Sequence, residues 1–290
     1  MYLYNDPKVA AVQKINRKGD PVASFEARPN TDKKIDLAAQ FAVGSNGEFY
    51  QLVFPHEIKR YVFTYKSDGT FKSSIKLDPG FPWVPSAIDV FPSGQMLITG
   101  LEYDKDRTAA MWPVTGIFSA DGRLLKEVKL EDDETLHDMA AVGDARVSLS
   151  GIPQSNLAVS SSEVEMAEDG NAYLMRWTNP AIIYAISPRG EVVRRIELDP
   201  GEPDYHAGTM HIFKNRIAML FIQPNSFEKI MMIVDLQGHQ IARYREVKSN
   251  GQNQPLLSGA FYCYTEAPSR FTFLGSNDDG KLQFWIAEPR

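Results

Sequence analysis

The sequence predicts an all-β protein, and three observations lead to that prediction. Short apolar strands alternate with turns that end in glycine, aromatic residues are frequent, and no long segment has apolar residues at helical spacing. Phe, Tyr and Trp make up 11% of the 290 residues, and aromatic side chains favour sheets over helical bundles. All-β folds of this length often form one domain, so we expect a single domain over residues 1–290.

A hairpin recurs along the chain. Its first strand is apolar, its turn ends in glycine, and its second strand carries charged residues. A tight hairpin turn needs a positive φ at one position, which residues with a Cβ resist, so glycine is expected there. The turn glycines of the five copies are Gly19, Gly69, Gly122, Gly190 and Gly238.

A second hairpin precedes four of these copies. Its turns end at Gly47, Gly94 and Gly170, and Lys214-Asn215 takes the corresponding place in the last copy. Two hairpins give four antiparallel strands, and a four-stranded unit cannot bury both of its faces alone. Radial packing of such units around an axis solves that problem, so the repeat predicts a β-propeller of four-stranded antiparallel blades.

The two ends of the chain leave the number of blades open. Six blades are favoured and five are possible, because the terminal strands can form one composite blade or two incomplete ones. We expect strands from residues 2–27 to share a sheet with strands from residues 259–287, since closing the ring removes exposed edges. Residues 131–161 are interpreted as an insertion or a long connection between blades.

Two paired motifs carry a resemblance to a known group. They are Gly-Glu-Phe-Tyr with Lys-Ser-Asp-Gly-Thr-Phe within 47–71, and Gly-Asn-Ala-Tyr with Ser-Pro-Arg-Gly-Glu-Val within 170–192. The repeat resembles the six-bladed propellers of the NHL and TolB-like group over nearly the whole chain. That group includes binding scaffolds, lactonases, lyases and proteins of no assigned activity. The resemblance therefore implies a fold and no particular activity.

Composition and charge exclude several classes of function. The net charge is −6 and no basic stripe is present, so we expect no nucleic-acid partner. No apolar run is long enough for a membrane span. Cys263 is the single cysteine, which rules out an intrachain disulfide, and its apolar surroundings favour a buried, inert thiol. We expect a soluble protein whose compartment is open, extracytoplasmic if an export signal upstream of Met1 has been removed.

The sequence contains no common catalytic or cofactor signature. Glycine-rich nucleotide loops, His-Glu-x-x-His and Gly-x-Ser-x-Gly are all missing. His206 and His211 are five residues apart, so on one strand they would face opposite sides of the sheet. We expect no cofactor, although a calcium or other divalent metal site built from Asp, Asn and Glu on separate loops stays open.

The candidate site lies on loops that a propeller would bring to one end of its channel. The segment Leu-Asp-Pro-Gly-x-Pro occurs at 77–82 and again at 198–203, each time before an aromatic residue. Amphipathic aromatic and charged side chains are common where ligands or partners bind. The structural alternative is that Trp83 and Tyr205 pack beneath their own Pro-Gly turns. The candidate ligand or partner contacts are Trp83, Asp104, Arg176, Trp177, Tyr205 and His206.

Two functions are consistent with these observations. The favoured one is a non-catalytic binding or scaffold propeller that recognises a protein or a small-molecule ligand at the loop face of the channel. The alternative is a metal-assisted, lactonase-like hydrolase or lyase with its site in the channel. The enzyme would be favoured if three or more of these residues converged: Glu57, Asp104, His137, Asp138, Asn179, Asp204 and His206.

Overall fold

The structure is a computed structural model that describes most of the chain. The described residues contain 22 β-strands and one 3-10 turn at Arg28–Asn30. No helix among them is both long enough and apolar enough to cross a membrane. The predicted insertion at 131–161 lies outside the described residues. Those residues are 2–6, 11–16, 19–32, 34–55, 59–103, 111–130, 163–176, 180–202, 204–223, 228–245, 260–266, 269–276 and 282–288.

The strands form six sheets, and each sheet is built from strands that follow one another in the chain. Sheet 1 contains β1 (Tyr2–Asp6), β2 (Ala11–Ile15) and β3 (Pro21–Glu26). Sheet 2 contains β4 (Ile35–Val43), β5 (Phe49–Pro55), β6 (Arg60–Tyr65) and β7 (Phe71–Leu77). Sheet 3 contains β8 (Trp83–Val90), β9 (Met96–Tyr103), β10 (Met111–Phe118) and β11 (Leu124–Glu127).

The second half of the chain repeats this organisation. Sheet 4 contains β12 (Glu163–Met166), β13 (Ala172–Arg176), β14 (Ala181–Ile186) and β15 (Val192–Leu198). Sheet 5 contains β16 (His206–Phe213), β17 (Arg216–Ile222), β18 (Lys229–Asp235) and β19 (Gln240–Arg245). Sheet 6 contains β20 (Ala260–Glu266), β21 (Ser269–Ser276) and β22 (Leu282–Ala287).

This strand order confirms the predicted fold class. The four middle sheets each have four strands in the order in which they occur in the chain, as successive propeller blades do. Six sheets agree with six blades rather than five.

The terminal sheets differ from the prediction of a shared sheet. The N-terminal strands β1 to β3 form a sheet by themselves, and the C-terminal strands β20 to β22 form another. A pairing between the two ends is therefore not among the sheets that the described residues form. The physical reason is local, because short connections bring consecutive strands together before distant ones.

The repeated turns have the conformation that the sequence predicts. All five glycines of the first hairpin lie between the third and fourth strands of a sheet, or at the matching place in sheet 1, and all have positive φ. In the second hairpin of sheet 5, Lys214 has a φ of 54°. The turn that lacks glycine therefore also contains a residue in the left-handed conformation.

The described sheets are buried on both faces where they have neighbours. In β5, Phe49 and Val53 pack into a cluster with sheet 1, whereas the intervening Tyr50, Leu52 and Phe54 pack into a cluster with sheet 3. Successive side chains of a strand point to opposite faces, so a sheet between two others needs apolar residues at nearly every position. This explains why every residue of β5 is buried.

The chain divides into two compact units. One consists of Met1–Val164 with Ile186–Val192, and the other of Glu165–Ala185 with Val193–Arg290. In the first unit, apolar clusters join sheet 1 to sheet 2 and sheet 2 to sheet 3. In the second, they join sheet 4 to sheet 5 and sheet 5 to sheet 6.

Candidate functional site

Two of the predicted site residues are core side chains. Trp83 is 4% exposed, and its ring stacks on Phe118 with 5.3 Å between centroids and 11° between planes. Tyr205 is also buried, and its hydroxyl donates to Glu228 Oε2 at 3.2 Å while the Arg245 guanidinium lies over its ring. Both rings are therefore packed in the interior rather than exposed at a loop surface.

The other predicted site residues differ in burial, and two of them are not described. Arg176, at the end of β13, is 2% exposed, and His206, at the start of β16, is exposed. Asp104 and Trp177 lie outside the described residues. Of the seven residues whose convergence would favour an enzyme, the structure describes only Asp204 and His206, and both are exposed.

The repeated Leu-Asp-Pro-Gly segment is a turn held in place by hydrogen bonds and ion pairs. Asp199 Oδ1 accepts the backbone N–H of Gly201 at 2.7 Å, which closes the turn on itself. Arg243 Nε donates to Pro200 O at 3.2 Å, and Glu202 pairs with both Arg243 and Arg245. The crossover between sheets 4 and 5 is thereby fastened to β19, which gives this second copy of the segment a structural role.

A carboxylate–imidazole pair lies on the first strands of sheets 4 and 5. The first strands of neighbouring sheets contact each other, as β16 does with β20, and we call this side of a sheet its inner edge. Glu165 on β12 approaches Nδ1 of His211 on β16, at 3.3 Å from Oε1 and 3.2 Å from Oε2. Glu165 Oε2 also accepts the backbone N–H of Ile212 at 2.5 Å. We call Glu165 and His211 the inner-edge pair.

The geometry of the inner-edge pair determines which nitrogen can meet a ligand. A carboxylate only accepts hydrogen bonds, so Nδ1 of His211 is the donor and carries the proton. In the neutral ring, Nε2 then has a free lone pair, and none of the described residues bonds to it. Both side chains are partly exposed. The pair thus offers a hydrogen-bond acceptor, or a metal ligand, with its orientation held by Glu165.

Two residues of β20 lie near the pair. Phe261 meets the His211 ring edge-on, with centroids 6.3 Å apart and an interplanar angle of 80°. Burial raises the pKa of the Cys263 thiol, and the negative charge of Glu165 raises it further. Cys263 is half-buried rather than buried as predicted, and its raised pKa favours the protonated thiol near neutral pH.

Sequence reasoning missed the inner-edge pair because its members are 46 residues apart. The register of the repeat could have indicated the pair. Glu165 and His211 each stand three residues before the first residue of the two-residue turn in their hairpin, Glu168-Asp169 and Lys214-Asn215. Aligning the first strands on those turns would have placed the two side chains at equivalent positions.

Comparison with known proteins defines no family for this chain. No family model matches it, and no curated protein matches it. The resemblance to the NHL and TolB-like group therefore stays a prediction.

Several solved structures are similar to it at low identity. A protein of unknown function from Bacteroides caccae has a TM-score of 0.44 and 13% identity over 94% of this chain and 77% of its own. A puromycin hydrolase has a TM-score of 0.45 and 13% identity over 96% of this chain and 40% of its own. An exo-beta-1,3-galactanase from Phanerochaete chrysosporium has a TM-score of 0.43 and 8% identity over 94% and 62%. The chain spans less than two thirds of the last two.

Proposed function

We propose that this protein is a binding propeller, and that the inner-edge pair contacts its ligand. The single observation that carries the proposal is the hydrogen-bonded arrangement of Glu165 and His211, which leaves Nε2 as an oriented acceptor at a partly exposed position. Such an acceptor suits a ligand that donates a hydrogen bond, such as a hydroxyl or an ammonium group. Phe261 adds an apolar surface beside it.

The other contacts of Glu165 support a binding role over a catalytic one. Its carboxylate also holds the backbone N–H of Ile212, so it fastens β12 to the neighbouring strand. A group that anchors the backbone orients its partner well, whereas a general base needs freedom to take up and release a proton. We therefore assign Glu165 a positioning role and His211 the contact with the ligand.

The proposal is tested with a panel of small polyols, saccharides and amines. Compounds that raise the melting temperature of the full chain are titrated by calorimetry against His211→Ala. We expect a loss of affinity of at least about tenfold, because an oriented polar contact is lost. Equal affinity in His211→Ala, or a panel without a single binder, would contradict the proposal.

The chain offers a matched control. His239 forms a comparable pair with Asp235, with Nδ1 3.1 Å from Oδ2, but on an exposed turn. His239→Ala removes the same chemical group from a place that the proposal does not involve, so ligand binding stays at the level of the unmodified protein. Glu165→Gln keeps an acceptor for Ile212 but loses the charge that orients His211, and we expect an intermediate affinity.

A metal-assisted hydrolase or lyase is the second candidate, and one observation favours it. Histidines that bind metals commonly donate their other ring nitrogen to a carboxylate, as His211 does to Glu165. The described residues contain no group of three or more His, Cys, Asp or Glu side chains placed to hold a metal. Metal analysis of the purified chain decides between the candidates. A stoichiometric divalent metal that is lost in His211→Ala would replace the binding proposal.

A further inference from the structure

The last strand of sheet 6, β22, has a composition typical of a strand inside a sheet. In each four-stranded sheet the third strand is hydrogen-bonded on both sides, to the second strand and to the fourth. By its order in the sheet, β22 is a third strand, yet it pairs only with β21 among the described residues. The edge that a fourth strand occupies elsewhere is unpaired within the described part of the chain.

The composition of β22 is unusual for an edge strand. Proteins protect exposed edges with charges, bulges or proline, but Leu-Gln-Phe-Trp-Ile-Ala contains none of these safeguards. The fourth strands of the complete sheets do contain charged residues. These are Lys72 and Lys76 in β7, Lys126 and Glu127 in β11, Arg194, Arg195 and Glu197 in β15, and Arg243 and Arg245 in β19.

The side chains of β22 divide between a packed face and an open one. Trp285 and Ala287 pack against the apolar cluster that joins sheets 5 and 6. Phe284 and Ile286 point to the other face and are 39% and 61% exposed. An uncharged edge strand with two large apolar side chains in solvent is a surface to which another strand adds readily.

We propose that β22 is a docking edge for an extended segment of a partner polypeptide, which completes sheet 6 as its fourth strand. The complete sheets of this chain indicate the chemistry of that segment. Their fourth strands are antiparallel to the third, contain four to seven residues, and combine apolar with mainly basic side chains. The partner segment is accordingly a short, basic, amphipathic strand whose apolar residues cover Phe284 and Ile286.

A second copy of the chain fits the edge less well than such a segment. Two folded copies meeting at β22 would share only a six-residue edge, well below the interface of about 1,200 Å² that stable association requires. An extended segment forms the same backbone hydrogen bonds, and its flanking residues can follow the sheet surface beyond the strand. This site is separate from the inner-edge pair and does not rest on the function proposed for it.

The test uses a peptide taken from the chain itself. A fluorescein-labelled peptide with the sequence of residues 70–77, which contains the fourth strand of sheet 2 and two lysines but no acidic residue, is titrated against the full chain by fluorescence anisotropy. We expect a Kd at or below about 100 µM. A peptide with proline in place of Ile75 cannot complete the ladder and is expected not to bind. Absence of binding by the unmodified peptide would overturn the proposal.

Two variants locate the binding edge. Ile286→Lys places a charge on the open face of β22, and we expect at least about tenfold weaker peptide binding with an unchanged melting temperature. Ile241→Lys is the matched control, because Ile241 is 49% exposed on β19, a fourth strand of a complete sheet. Phe284→Lys replaces Ile286→Lys if the latter fails to fold. Equal peptide affinity in the β22 variant and in the control would refute the assignment.

One further measurement distinguishes this site from the inner-edge pair, and another distinguishes a partner segment from a second copy of the chain. His211→Ala is expected to leave peptide binding unchanged, so failure of the inner-edge proposal and failure of this one are distinguishable. Sedimentation of the unmodified chain is expected to show a monomer over the concentration range of the titration. A concentration-dependent dimer that Ile286→Lys abolishes would mean that the edge takes a second copy, which would overturn the assignment to a partner segment.

Discussion

A Cβ on Gly122 would lie 2.1 Å from the carbonyl oxygen of Lys76 in the preceding sheet. At this place the turn of sheet 3 touches the fourth strand of sheet 2, and Asp78 N–H donates to Gly122 O at 3.0 Å. A Cβ on Gly69 would likewise stand 2.4 Å from the carbonyl oxygen of Ser24 in sheet 1. Gly69 and Gly122 thus serve two purposes, since they permit positive φ and let the turn approach the neighbouring sheet.

Gly122→Ala and Gly19→Ala separate these two purposes. Both glycines have nearly the same φ, +90° and +88°, but a Cβ on Gly19 would have no described atom within 4 Å. We expect Gly19→Ala to cost about 1–2 kcal/mol from the left-handed conformation alone. Gly122→Ala should cost about 1–3 kcal/mol more, because the turn must move away from Lys76. Equal losses in urea unfolding would show that close approach is unimportant.

Replacing Trp83 should reduce stability strongly. Its ring is buried against Phe118, so Trp83→Ala is expected to lower the free energy of unfolding by about 3–5 kcal/mol. Trp83→Phe keeps an aromatic partner for Phe118 and should cost clearly less. Urea denaturation measures both variants. A Trp83→Ala protein as stable as the unmodified chain would show that the tryptophan is a surface residue after all.

Glu48 should contribute stability that disappears in acid. The Lys72 ammonium lowers the pKa of the Glu48 carboxyl below its ordinary value of 4.5, and Tyr50 also donates to it at 3.1 Å. A carboxyl whose pKa is lower in the folded state stabilises the fold above its unfolded pKa, and that contribution is lost as the pH falls through the folded pKa. The pair is largely on the surface, so the contribution is about 0.2–1 kcal/mol.

Unfolding of Glu48→Gln measures this contribution. The difference from the unmodified protein should be present at neutral pH and shrink as the pH falls below 4.5 and through the lowered pKa of the folded state. In a Lys72→Gln background, Glu48→Gln should have a smaller effect, because the main cause of the lowered pKa is absent. A difference that persists unchanged in acid would assign the effect of Glu48 to packing rather than to charge.

The thiol of Cys263 should react slowly in the folded protein. Burial raises its pKa above the ordinary 9.0, so little thiolate is present near neutral pH. At about pH 8 we expect iodoacetamide to modify the native chain at least about tenfold more slowly than the urea-unfolded chain. Mass spectrometry follows the reaction. Equal rates in the two states would contradict a half-buried, protonated thiol.

Local features of the sequence were sufficient to predict the strands and most of the sheets. The hairpin glycines and the two-residue turns are determined by neighbouring residues, and hairpins place consecutive strands side by side. Pairing at the two termini was less predictable, because it depends on which distant strands meet. The described strands at each end form a three-stranded sheet of their own, and no local pattern predicts that arrangement.

The candidate site was less predictable than the fold. The sequence showed aromatic residues after the Pro-Gly turns, but whether Trp83 faces solvent or Phe118 depends on a side chain in another strand. Glu165 and His211 meet although 46 residues separate them. The sequence by itself determined where the chain turns, because turn conformation depends on adjacent residues. Only the tertiary structure decided which side chains are buried and which meet, because those contacts arise when separate sheets pack together.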